Sequence, residues 1–150
     1  AGEAGNAEDV KTAVHMGAVR IGHGVRIAGN KEVIQLVKDK GVFLEMCPTS
    51  NRQTKAMEEM SAYPLKAFLE MGLKVTLNTD DPAIERTTLS REFRYMESLL
   101  NLTQEQKRLL LLNSVEAAFT SRNRKCKLKE QLFSEPYENY GEPIIYKRIK

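Results

Sequence analysis

No stretch of the chain strings together the roughly 20 apolar residues that a membrane helix requires. Nothing at its start has the form of a signal peptide, so a soluble, cytoplasmic protein is the expectation. Cysteine is scarce. Cys47 and Cys126 are the only two; they make no disulfide framework and suit a reducing compartment. Aromatic residues amount to 7%, and the net charge is only +3. The one basic concentration, Arg122, Arg124, Lys125, Lys127 and Lys129, has no aromatics interleaved with it. It reads as a solvated helix face, because base stacking would have no platform. Nucleic acid and membrane are therefore excluded as partners. There is no internal repeat and no low-complexity segment.

What is present is a rhythm. At 150 residues the chain is long enough for one modest domain with a real core. Asn6 caps a helix that ends at Gly17, and Asn30 caps another that ends at Gly41. Pro64 suits the first turn of a third, which stops at Gly72. Short β-branched runs alternate with these helices: Ala18–Gly22, Val42–Cys47 and Val75–Thr79. Pro48–Asn51 reads as a loop, and Gln53–Ser61 as a polar loop or short helix. After Pro82 the pattern is helical throughout. Helices start at Thr88 and at Thr103, where Thr103-x-x-Gln106 is a capping box, and a shorter one covers Lys127–Phe133. Ile144–Tyr146 could add an edge strand to an otherwise irregular tail. Strand, helix, strand, helix is the order of a parallel sheet, either doubly wound or part of a (β/α)8 barrel. Three strands are too few to close a barrel.

The polar, reactive side chains are placed unevenly. Loops that follow strands, or sit where a strand end is expected, hold Glu3, His23, Thr49-Ser50-Asn51 and Asp80-Asp81. Loops that lead into strands hold Gly17, Lys40-Gly41 and Gly72. In a βα fold every strand end faces one way, so the first set converges on a single rim, where active sites sit. Singly, each residue has a plainer explanation. Asp-Asp-Pro is ordinary turn chemistry, a lone histidine is often structural, and Cys47 reads as a buried thiol. His15, in the last turn of its helix, answers the helix dipole. Together, a histidine, a glutamate and two aspartates suit metal-assisted hydrolysis. By spacing alone they do not complete a zinc site, which takes about three protein ligands.

Four motifs in order, Ala1-Gly2-Glu3, Arg20-Ile21-Gly22-His23-Gly24, Cys47-Pro48-Thr49-Ser50-Asn51 and Asn78-Thr79-Asp80-Asp81-Pro82, resemble the adenosine deaminase family. The resemblance covers Ala1 to about Phe119. It implies a (β/α)8 barrel with one catalytic Zn2+ and hydrolysis of the 6-amino group of adenosine or 2′-deoxyadenosine. It also implies roles. Asp80 would be a zinc ligand, Glu3 the acid at purine N1, and His23 the group that orients the attacking water. Gly2 would offer its N–H to N3, and Asp81 would hydrogen-bond N7. The family's remaining zinc ligands are three histidines absent from this sequence. The chain thus reads as the C-terminal half of such a barrel, one partial domain with its barrel units and late helices in 1–120 and a helix and tail in 121–150. It is expected to need its own N-terminal half and to be inactive alone. The nearest rival is an adenine deaminase of the same superfamily. Such enzymes tend to carry an aspartate where this chain has Gly22, so Gly22 favours the nucleoside. A non-catalytic relative would be free to lose Glu3, His23, Asp80 and Asp81. A doubly wound nucleotide-binding domain would need a G-x-G-x-x-G loop, which Ala1–Gly5 lacks.

Overall fold

The computed structural model describes residues 1–134. The expected edge strand at Ile144–Tyr146 lies outside them. The elements are α1 (Ala7–His15), β1 (Arg20–Gly22), α2 (Lys31–Lys40), β2 (Phe43–Met46), α3 (Pro48–Gln53), α4 (Leu65–Glu70), β3 (Lys74–Leu77), α5 (Pro82–Glu85), α6 (Leu89–Leu100), α7 (Gln104–Ala117) and α8 (Arg122–Ser134). The three strands form one parallel sheet in the order β1-β2-β3. This is part of the α/β barrel architecture that the strand–helix rhythm leads one to expect.

Local chemistry explains most helix ends. Asn6 Oδ1 accepts from the amides of Glu8 and Asp9, and Asp9 returns a bond to the Asn6 amide. Asn30 caps α2 through Val33 N, and Gly41 closes that helix at φ 63°. Thr103 and Gln106 complete their reciprocal cap on α7.

Side chains alternate across the sheet, as the pleat requires. Ile21, Leu44, Met46 and Val75 are buried and join Val10, Val14, Val33, Val37, Leu65 and Phe68 in a single core. Arg20 and Gly22 of β1 and Phe43 and Glu45 of β2 are only partly buried. On this opposite face Arg20 pairs with Glu45 at 3.2 Å, and Lys74 lies over the Phe43 ring. Among the described residues β1 and β3 each have a single strand neighbour. α7 packs on β3, and Asn113 Nδ2 donates to the Val75 carbonyl.

Three expectations need correction. Pro48–Asn51 is not a loop but the first part of α3. Pro48 suits a first helical turn, but the amide behind it, Thr49 N, is capped by Glu92, 43 residues away. No local pattern could signal that cap. β3 ends at Leu77 rather than Thr79, although Asn78 N still donates to the Met46 carbonyl. The last helix begins at Arg122, five residues before the expected start at Lys127.

Candidate active site

The residues past the strand ends meet at one rim. Glu3 stands in the opening loop, which Arg26 holds by two bonds: its backbone N to the Gly2 carbonyl and its Nε to the Glu3 carbonyl. His23 follows β1, its amide bonded to the Glu45 carbonyl at 2.8 Å. Asp80 follows β3. His23 and Asp80 both adopt left-handed backbone, at φ 63° and 61°, a conformation that costs a non-glycine residue about 1–2 kcal/mol. Such strain gathers at functional sites. Of the two glycines beside His23, Gly24 takes a positive φ of 80° and Gly22 does not. The sharp turn is therefore made by His23 and Gly24.

A connected set of hydrogen bonds fixes the histidine. Tyr63 Oη donates to Asn51 Oδ1 at 2.8 Å, and Asn51 Nδ2 donates to Glu3 Oε1 at 3.2 Å. These two bonds orient the Asn51 amide. Its Nδ2 also faces His23 Nδ1 at 2.9 Å, so Nδ1 is the acceptor and Nε2 carries the proton. That Nε2–H lies between two carboxylates, 3.5 Å from Glu3 Oε2 and 3.7 Å from Asp80 Oδ2. Thr54 adds a second bond to Glu3 Oε1, and Ser50 Oγ donates to Asp80 Oδ2 at 2.8 Å.

The cluster opens onto a cleft of about 480 Å³ lined in part by Gly22, His23, Glu45, Cys47, Asn78 and Asp80. One donor atom each from His23, Cys47 and Asp80 lies within 4.8 Å of the others. Cys47 is buried, and burial together with the nearby Asp80 carboxylate pushes its thiol well above the ordinary range. That keeps it neutral, as a structural thiol should be. The Asp80 contacts described above both use Oδ2, which leaves Oδ1 for a cation. A carboxylate oxygen suits zinc, whereas the His23 ring, with Nδ1 on Asn51 and its proton on Nε2, serves as a donor to oxygen rather than as a ligand.

The structure thus brings Glu3, His23 and Asp80 together. Gly2 lies buried behind them: a Cβ there would stand 2.7 Å from Gly24 Cα. Asp81 stands outside the hydrogen-bonded cluster, with Oδ1 accepting from the Ala83 and Ile84 amides at the start of α5. Sequence reasoning missed Tyr63, Thr54, Glu85 and Glu92. Glu85 sits beside the cluster, where burial and then the Asp80 charge raise its carboxyl. None of these four carries a motif, and only tertiary packing brings them in.

The family model for adenosine deaminase matches residues 1–135. The chain belongs to the adenosine deaminase family. It is 45% identical over 130 residues to an adenosine deaminase of Clostridium botulinum strain Okra, a match covering 86% of this chain and 39% of that protein. It is 40% identical over 137 residues to the adenosine deaminase of Enterococcus faecalis, with 91% and 40% covered. The crystal structure of an adenine deaminase from Arthrobacter aurescens superposes with a TM-score of 0.85 at 30% identity, over 89% of this chain and 41% of that one. The chain therefore spans about two fifths of the length of these adenosine deaminase relatives.

Proposed function

We propose that this chain supplies one wall of the active site of a zinc-dependent deaminase that converts adenosine or 2′-deoxyadenosine to inosine or deoxyinosine and ammonia, in purine salvage. The observation that carries this is the Nε2–H of His23 held between the carboxylates of Glu3 and Asp80. Glu3 keeps Oε1 on Asn51 and Thr54, so a proton for purine N1 is best carried on Oε2. Protonating N1 drains electron density from C6 as water adds there. His23 Nε2–H donates to the oxygen that arrives at C6, and the fixed tautomer keeps that donor aimed without reorganisation. Gly2 N–H serves purine N3. Asp81 hydrogen-bonds N7 with Oδ2, the oxygen that its helix cap leaves out. Asp80 would hold the zinc ion, which when bound makes water nucleophilic near neutral pH. Its other ligands and the covering of the outer strand edges would come from an N-terminal half, without which the chain is inactive. A cytoplasmic location fits this role.

The superposition on an adenine deaminase favours the free base as a second reading. Gly22 weighs against it: a Cβ there would meet no heavy atom within 4 Å, which leaves space in the cleft for more than the base. The test uses the complete enzyme with zinc and follows ultraviolet absorbance after addition of adenosine, with adenine in parallel. Loss of the adenosine band with adenine untouched is expected. Turnover of adenine alone would move the assignment to the free base, and turnover of neither would overturn both.

A further inference from the structure

Glu92 belongs to none of the four motifs, yet it is wholly buried, at 0% exposure, in the first turn of α6. Three donors converge on its carboxyl group. Thr49 gives its backbone N–H to Oε2 at 3.1 Å and its hydroxyl to Oε1 at 2.5 Å. Thr87, in the segment between α5 and α6, gives its hydroxyl to Oε1. Burying a carboxyl is costly unless its oxygens are satisfied, and an apolar side chain could fill the same space without that cost. The position of its partners points to what is gained. Thr49 is followed directly by Ser50, which bonds Asp80, and by Asn51, which bonds both Glu3 and His23. Both neighbours are almost completely buried. A shift at Thr49 has no slack in which to dissipate before it reaches them.

We propose that Glu92 is a positioning residue for the deaminase site, anchoring the first turn of α3 so that Ser50 and Asn51 hold Asp80, Glu3 and the His23 tautomer in register. This inference rests on the deaminase reading of the cluster. Glu92 makes no described hydrogen bond to any of the three site residues, and its link to them runs through Thr49.

The test uses the complete zinc-loaded enzyme and two variants. Glu92→Gln turns one acceptor oxygen into an NH2 group that must face donors. Thr49→Val keeps the backbone bond and removes the hydroxyl. Kinetics on adenosine are read beside the 15N spectrum of the His23 imidazole. Because misplacing a reacting group falls on kcat rather than on ground-state binding, kcat should drop about tenfold or more in Glu92→Gln and by less in Thr49→Val, with KM within about threefold of the parent. The His23 spectrum should pass from a single Nε2–H form to a mixture of tautomers in both. A purely structural cap would lower the melting temperature and leave both readouts at parent values, and that result in either folded variant overturns the proposal. If Glu92→Gln does not fold, Thr49→Val decides alone. A parent enzyme without adenosine turnover would sink the deaminase reading, while the His23 spectra would still decide whether Glu92 positions the cluster.

Discussion

Replacing Gly2 by alanine tests whether the opening loop must lie hard against the turn after β1. Gly2 sits at φ 92°, so any side chain there costs about 1–2 kcal/mol in backbone strain alone. The added Cβ would lie 2.7 Å from both Gly24 Cα and Gly24 N, and 3.2 Å from the Gly22 carbonyl oxygen. All three are backbone atoms, so no side chain can rotate away. Ordinary contact begins at 3.4 Å, and the two loops must part by about 0.7 Å to reach it. Glu3 is the next residue and would move with the loop, away from His23. A displacement approaching 1 Å at a reacting group costs up to about 100-fold in rate, so Gly2→Ala should lose about 10- to 100-fold in kcat as well as stability. Gly22→Ala is the control. Its Cβ would meet nothing within 4 Å, its φ is not positive, and its stability should stay within about 0.5 kcal/mol of the parent. Thermal unfolding and adenosine turnover of both variants, in the complete enzyme, give the comparison. Gly2→Ala with parent stability and rate would refute the close approach, as would Gly22→Ala unfolding as early as Gly2→Ala.

Asn51→Leu should remove the partner of the buried Tyr63 hydroxyl and release His23 Nδ1. The orphaned hydroxyl alone costs about 1–3 kcal/mol, measured by denaturant unfolding; an unchanged midpoint would show that water replaces the amide. Cys126 is exposed and Cys47 buried, so a disulfide-exchange reagent should titrate one thiol quickly and the second only on unfolding; two fast thiols would contradict the placement of Cys47. The raised Cys47 pKa also sets a pH dependence. The native thiol keeps its proton where the unfolded chain loses it, so stability is intact below an unfolded pKa of about 8.5 and falls by up to about 1.4 kcal/mol per pH unit above it. Cys47→Ala should flatten that alkaline slope, and equal slopes in parent and variant would count against it.

The features legible in the sequence share one property: their causes lie within a few residues of their effects. Asn6, Asn30 and Thr103 cap helices three residues away, Gly41 and Gly72 stop them, and alternation marks the strands. The rim asymmetry was legible too, because strand direction alone sends His23, Ser50, Asn51 and Asp80 to one side. What was hidden is held from far along the chain. The first free amide of α3, at Thr49, is capped by Glu92 from 43 residues away. The Asn51 amide has a direction because Tyr63, coming in from the segment before α4, fixes its oxygen. The left-handed turns at His23 and Asp80 are uncommon outside glycine, and although histidine and aspartate adopt them more readily than most residues, that weak preference could not announce them.

Register is what makes one site out of separate loops. Gly22 pairs with Glu45, and Glu45 in turn with Thr76, so the three strands reach the rim at nearly one level. The ladder then runs a step beyond the strands, with His23 N on the Glu45 carbonyl and Asn78 N on the Met46 carbonyl. His23 thus leaves the sheet immediately, and Asp80 two residues after Asn78, each by a left-handed turn. β2 contributes differently. Its own loop residue, Cys47, is buried and neutral, and the chain passes at once into α3, whose third and fourth residues, Ser50 and Asn51, reach back across to both neighbours. One side of the cluster is therefore set by sheet register, which slips only by whole residues. The other side is set by the seating of a six-residue helix, which can tilt by fractions of an ångström. A helix that short is not stable by itself, so its seating depends on what grips its first turn. Among the described bonds from outside the cluster, Glu92 grips the Thr49 amide and hydroxyl and Tyr63 grips the Asn51 side chain.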